Sequence, residues 1–207
     1  MQQRNVRILR IKKQIVFGYG NIANYVTLFG LTMSLVSCFF ALNANIRLSA
    51  VFLILSGVCD LFDGVIARKI KRTEPEKEFG VQLDTVADVV SFGVTPAIIV
   101  FSTAGAVWYA LLIYVFYIIC AVNRLAYFNT TAATGASAAY YRGLPVTYIA
   151  LILPVVLLFR SAAASVITLA AVGILFILNI KISKPRGIWY ALFPVIAVIL
   201  IILWWFL

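Results

Sequence analysis

Seven runs of this sequence are so apolar and so poor in charge that a lipid bilayer is the main solvent they suit. They fall at about residues 25–43, 48–67, 81–101, 104–122, 144–159, 165–180 and 188–207. The fifth and sixth are short of the roughly 20 residues that carry a helix across the hydrocarbon core. With 64% hydrophobic residues, 12% charged residues and a mean hydropathy of +1.05, a soluble globular domain is excluded. The expected fold is an all-α polytopic membrane protein.

The basic residues orient these spans, because loops on the cytoplasmic side retain lysine and arginine. With the N-terminus inside, fifteen of the seventeen basic residues fall in inner segments, and Arg47 and Arg160 are the exceptions. The net charge of +10 is spread over loops that border apolar spans, so anionic lipid headgroups rather than nucleic acid are the expected partner. Residues 1–20 read as a basic juxtamembrane segment. Cys38, Cys59 and Cys120 lie inside spans and imply no disulfide framework, and no removable signal peptide is evident. Segments 69–79 and 130–137 are the expected inner loops. Gly93 and Pro96 mark a helix bend, and Trp204, Trp205 and Phe206 read as an interfacial anchor.

All four aspartates lie between residues 60 and 88. A carboxylate at membrane depth is costly unless compensated, and few basic side chains lie within the spans to do so. Asp60 and Asp63 are one helical turn apart and share a face with Ala67, while Gly80, Asp84 and Asp88 follow at four-residue intervals. Each helix presents one functional stripe. An antiparallel pairing places Asp63 with Asp84, and Asp60 with Asp88, at matching depths. Oxygen-only ligation in a chain with no histidine and no cysteine pair points to Mg²⁺, Mn²⁺ or Ca²⁺, one or two ions, rather than zinc. The small residues Gly64, Ala67 and Gly80 leave room for a flat or bulky group near the metals, and Arg68 adds a cation at the mouth. A nucleotide diphosphate fits that arrangement. The competing reading of intramembrane acids is a cation-coupled transporter.

The pattern D-x2-D-G-x2-A-R, a loop of eleven residues, then G-x3-D-x3-D resembles the signature of the CDP-alcohol phosphatidyltransferase family. The resemblance implies a six-helix catalytic core over residues 21–185, with residues 186–207 adding a C-terminal transmembrane helix. It also implies a homodimer and transfer of a phosphatidyl group from a CDP-linked lipid to an alcohol, with release of CMP. By this resemblance Asp60, Asp63, Asp84 and Asp88 hold two divalent ions and Asp88 is the general base. Asn24, Thr27, Asp60, Gly64, Ala67, Arg68 and Gly80 would bind the CDP-lipid, Asn24 and Thr27 forming the family's Asn-x-x-Thr motif at the start of the first helix.

Further stretches around Ser91, Asn123–Arg124, Gly143–Thr147 and Asn179–Pro185 are similar to the membrane-integral phosphatidylserine synthases. That similarity implies L-serine as acceptor and CDP-diacylglycerol or CDP-archaeol as donor. Ser91, Asn123, Arg124 and Arg142 are the candidate serine-binding residues, an arginine being suited to grip a carboxylate bidentately. Glycerol 3-phosphate, inositol or choline are the alternative acceptors. The active site is expected to face the cytoplasm in the cell membrane.

Overall fold

The computed structural model describes residues 19–105, 107–133, 140–183 and 189–206. Helical stretches coincide with each of the seven apolar runs, so the all-α polytopic expectation holds. Four of these stretches are long and apolar enough to cross a membrane: Ile22–Leu42, Ile46–Lys69, Glu74–Ala104 and Trp108–Thr131. The expected juxtamembrane segment 1–20 lies almost wholly outside the described residues.

Helix α1 (Ile22–Leu42) starts at Asn21, whose side chain accepts from the Asn24 amide at 3.0 Å. Its buried face is a stripe of small residues, Ala23, Thr27, Gly30, Ser34, Ser37 and Ala41, together with Asn24. Small residues let two backbones approach closely in a membrane, where packing rather than hydrophobic burial drives helix association. A β-carbon on Gly30 would sit 2.9 Å from the Cys59 Cβ of α2 (Ile46–Lys69). The turn between them places Ala44 at φ 58°, and Asn45 caps α2 by accepting from the Leu48 amide.

Helix α3 (Glu74–Asp88) begins earlier than the apolar run that announced it. Segment 69–79 was expected to be a loop, but only residues 70–73 separate the helices. Thr73 and Glu76 form a capping box, the Glu76 carboxylate accepting from the Thr73 amide at 2.7 Å, with proline in the first turn. That T-x-x-E signature was present in the sequence and outweighs the local polarity.

The same helical rod continues through a π-helix (Val89–Val94) into α4 (Thr95–Ala104) and ends at Gly105, φ 80°. The expected bend at Gly93 and Pro96 therefore takes the form of a wide turn. Its loosened carbonyls are held from outside the ladder: the Tyr117 hydroxyl donates to Phe92 O at 2.5 Å and the Thr95 hydroxyl to Val90 O at 2.9 Å. Thr95 is in turn tied to Ser34 of α1 at 2.6 Å. The widening buries Ser91, Phe92 and Gly93 in succession, which a regular helix face does not do.

Helix α5 (Trp108–Ala133) passes well beyond the expected end of its span near residue 122. Arg124 lies within the helix, buried, and does not end it. Residues 130–133, expected to be loop, are its last turn, and residues 134–139 lie outside the described residues. Strand β1 (Tyr140–Arg142) pairs antiparallel with β2 (Lys181–Ser183), Tyr141 opposite Ile182. Gly143 follows at φ 76°, and a β-carbon there would lie 2.6 Å from the Phe176 carbonyl. A short 3₁₀ turn (Val146–Tyr148) leads into α6 (Ile149–Leu157), followed by α7 (Ala162–Ile177) and α8 (Trp189–Phe206).

Helix α8 shares the apolar core through Ala197, Leu200 and Trp204. The ring of Phe193 stands 3.3 Å from a virtual β-carbon on Gly57 of α2. The aromatic end divides in two. Trp204 is buried, its indole N–H donating to Pro154 O at 3.2 Å, so it packs rather than anchors. Trp205 is exposed and lies under the Arg47 guanidinium.

Candidate active site

Helices α2 and α3 bring the four aspartates to one place. One carboxylate oxygen from each of Asp60, Asp84 and Asp88 lies within 4.8 Å of the others. Asp60 of α2 thus meets both Asp84 and Asp88 of α3. Asp63 is buried and turned toward α1, where its Oδ2 accepts from the Thr27 hydroxyl at 2.7 Å. Asp60 Oδ2 accepts from the Thr147 hydroxyl at 2.7 Å. Each carboxylate of α2 is therefore aimed by a threonine from a different element.

The donor set is suited to a hard cation. It is all oxygen, closely spaced and lodged in an apolar bundle, and a carboxylate cluster in such surroundings requires compensating positive charge. The ion pair that the described residues form, Lys77 with Glu74 at 2.7 Å, is on the exposed start of α3.

A cavity of about 210 Å³ opens over the cluster. Asp60, Asp63, Gly64, Asp84 and Asp88 form one wall; Arg124, Leu125 and Phe128 of α5 and Pro145, Val146 and Thr147 form the other. Arg124 is buried, with its guanidinium 5.6 Å from the centre of the Phe128 ring. It also lines a second cavity of about 270 Å³ with Asn123, Tyr127, Asn179 and the end of α7. One guanidinium thus borders both spaces.

The remaining candidates separate. Asn24 is buried beside Gly80: its carboxamide oxygen and Arg72 Nη1 lie 3.2 and 3.0 Å from where a Gly80 β-carbon would be. Gly64 has Arg68 Nη1 3.8 Å from its virtual β-carbon. Ala67 offers its carbonyl to Arg72 Nη2 at 3.0 Å. Ser91 is not in the space that Asn123 and Arg124 line. It faces a void of about 10 Å³ on another side of the carboxylates, with Thr27, Ser56, Asp60, Asp63 and Asp88. The side chain of Arg142 lies outside the described residues, its backbone being part of β1.

Thr147 and Arg72 are site neighbours that the sequence reading did not single out. Thr147 was within a stretch read for its resemblance but carried no local sign that its hydroxyl would reach Asp60. Arg72 was one of several loop cations, and nothing local showed that its guanidinium would reach the Ala67 carbonyl. Another unread contact joins Asn129 of α5 to Thr85, next to Asp84, at 2.6 Å.

A helical membrane bundle with a cluster of carboxylates under an open cavity defines the class of this protein. The comparison with known families makes it specific: the model of the CDP-alcohol phosphatidyltransferases matches residues 20–178, and the chain belongs to that family. Among its relatives is a CDP-diacylglycerol–serine O-phosphatidyltransferase of Saccharomyces cerevisiae, 38% identical over 148 residues, which cover 64% of this chain and 52% of the yeast protein. An archaetidylserine synthase of Methanothermobacter thermautotrophicus is 28% identical, with 73% of this chain and 65% of that protein covered. A CDP-diacylglycerol–serine O-phosphatidyltransferase of Methanocaldococcus jannaschii is 32% identical over 176 residues, 84% of this chain and 80% of the relative. The match spans about half the length of the yeast protein and just under two thirds of the Methanothermobacter one.

Proposed function

We propose that this chain transfers a phosphatidyl group from a CDP-activated lipid to the hydroxyl of L-serine, releasing CMP. The observation that carries the reading is the meeting of Asp60, Asp84 and Asp88 oxygens within 4.8 Å beneath a cavity that Arg124 also lines, in a chain whose relatives bear serine-transferase names. CDP-diacylglycerol and CDP-archaeol are both candidate donors.

Asp60, Asp63, Asp84 and Asp88 would hold Mg²⁺ or Mn²⁺, as two ions. When bound, such ions neutralise charge on the diphosphate and on the departing CMP. Thr27 and Thr147 keep Asp63 and Asp60 turned to their task. The serine hydroxyl oxygen attacks the phosphorus that bears the lipid, the bond from that phosphorus to the CMP oxygen breaks, and CMP departs. Asp88, within reach of the same cavity, takes the hydroxyl proton as the oxygen attacks. Gly64, Ala67, Arg68, Gly80 and Asn24 would flank the nucleotide, and Arg124, bordering both cavities, would grip the serine carboxylate. Asn123 belongs to that second space; Ser91, behind the carboxylates, supports the site instead. The orientation read from lysine and arginine puts this chemistry at the cytoplasmic face.

The test is CMP release from purified protein in mixed micelles with Mg²⁺ or Mn²⁺, CDP-diacylglycerol or CDP-archaeol, and a panel of serine, glycerol 3-phosphate, inositol and choline. Release that requires lipid, metal and serine together is expected. Release with another alcohol but not serine overturns the acceptor, and release with none overturns the reaction.

A further inference from the structure

Arg72 is a half-buried cation whose surroundings leave part of its charge unanswered. Nη2 donates to the Ala67 carbonyl at the end of α2 at 3.0 Å. Nη1 stands 3.0 Å from the virtual β-carbon of Gly80, with the Asn24 carboxamide oxygen 3.2 Å from the same point. Among the described residues Nε is shielded from solvent without a hydrogen-bond partner, and the guanidinium forms no direct ion pair, although Glu76 is near enough to feel its charge. A shielded, unpartnered N–H on a charged group is costly, and an oxyanion is the partner that removes the cost.

The position tells which oxyanion. Gly80 precedes Asp84 by one turn of α3, and Asn24 precedes Thr27, the partner of Asp63, by one turn of α1. The guanidinium therefore lies about one helical pitch, roughly 5.4 Å, along the bundle from the carboxylate cluster. Arg68 covers Gly64 on the other helix of the motif, so each of the two motif glycines has an arginine over it. Gly80 is not left open for the nucleotide alone; the space its missing side chain leaves is bordered closely by Arg72 Nη1 and the Asn24 carboxamide.

We propose that Arg72 binds a phosphate of the nucleotide headgroup, acting with Arg68 as the second arm of a guanidinium clamp around the diphosphate. This rests on the reading that the donor is a CDP-activated lipid. A fork of rigid N–H donors meets two phosphate oxygens at once, which a lysine does not reproduce.

The experiment titrates CDP, and cytidine without phosphate, into the full-length protein in detergent with Mg²⁺, comparing wild type with Arg72→Gln and Arg72→Lys. Gln retains a donor for the Ala67 carbonyl but removes the charge. Its dissociation constant for CDP should rise about tenfold or more, with cytidine binding and the thermal midpoint unchanged. Lys should recover part of the loss. Should Gln lower the thermal midpoint, Lys decides, and its CDP affinity must fall about threefold or more. Unchanged CDP affinity in the folded variants overturns the proposal. So does a loss confined to micelles containing phosphatidylglycerol, which would make Arg72 a contact for bilayer headgroups. A wild-type protein that binds no CDP overturns the proposed function and, with it, this inference.

Discussion

Asp60 and Asp63 are three residues apart on one helix, yet Thr147 and Thr27 draw them toward opposite neighbours. A threonine hydroxyl donating to a carboxylate contributes about 1.5–3 kcal/mol and fixes its rotamer. Asp60→Asn and Asp84→Asn each remove a charge from the proposed metal set, so CMP release should fall more than tenfold even at saturating Mg²⁺ or Mn²⁺; rates near wild type would sink the metal assignment. Thr147→Val leaves all four carboxylates and disturbs only the aim of Asp60, so a smaller loss, about tenfold, is expected in the same assay. Asp88→Asn should lower turnover by about 10²–10⁴-fold and weaken CDP binding far less, as befits a general base that also helps to hold the ions. Calorimetric titration of CDP beside steady-state rates distinguishes that outcome from loss of a ligand, in which affinity falls instead. The aspartates themselves were legible from spacing alone. Their threonine partners were not, since residue 147 reaches residue 60 only across the folded bundle.

At the scale of elements, the rod from Glu74 to Ala104 owes its shape to two devices of different visibility. Its start is local: Thr73 and Glu76 satisfy each other's end of the helix, a pattern contained in four consecutive residues. Its π-helical turn is not local, because the Tyr117 hydroxyl that holds Phe92 O comes from α5 and the Ser34 hydroxyl that holds Thr95 comes from α1. Tyr117→Phe removes one of these bonds at a buried carbonyl, an expected cost of about 1–3 kcal/mol. Thermal unfolding in detergent measures it. Because the π-helix follows Asp88 directly, the variant should also lower turnover, whereas a rate equal to wild type would show that Asp88 is placed without it.

The whole molecule is one bundle in which the C-terminal helix is a structural member. Trp204 fills the core and bonds Pro154 O, while its neighbour Trp205 is exposed. Trp204→Ala should therefore cost about 3–5 kcal/mol and Trp205→Ala little, read as the difference in thermal midpoint in detergent; equal shifts would return both to the role of anchors. The distinction was invisible in a run of adjacent aromatics, because it depends on which side of α8 meets α6. What the sequence by itself determined is the class of solvent, the order of the apolar helices, and the spacings, three residues on one helix and four on the next, that put the aspartates on facing stripes. Those properties follow from periodicity and transfer energy, which act along the chain. Only the tertiary structure decided that Asp63 turns to α1 while Asp60, Asp84 and Asp88 converge, that Ser91 parts from Arg124, and that Arg72 folds over Gly80. Each of those outcomes is a matter of side-chain contact, and side-chain direction at such contacts is fixed by packing rather than by local preference.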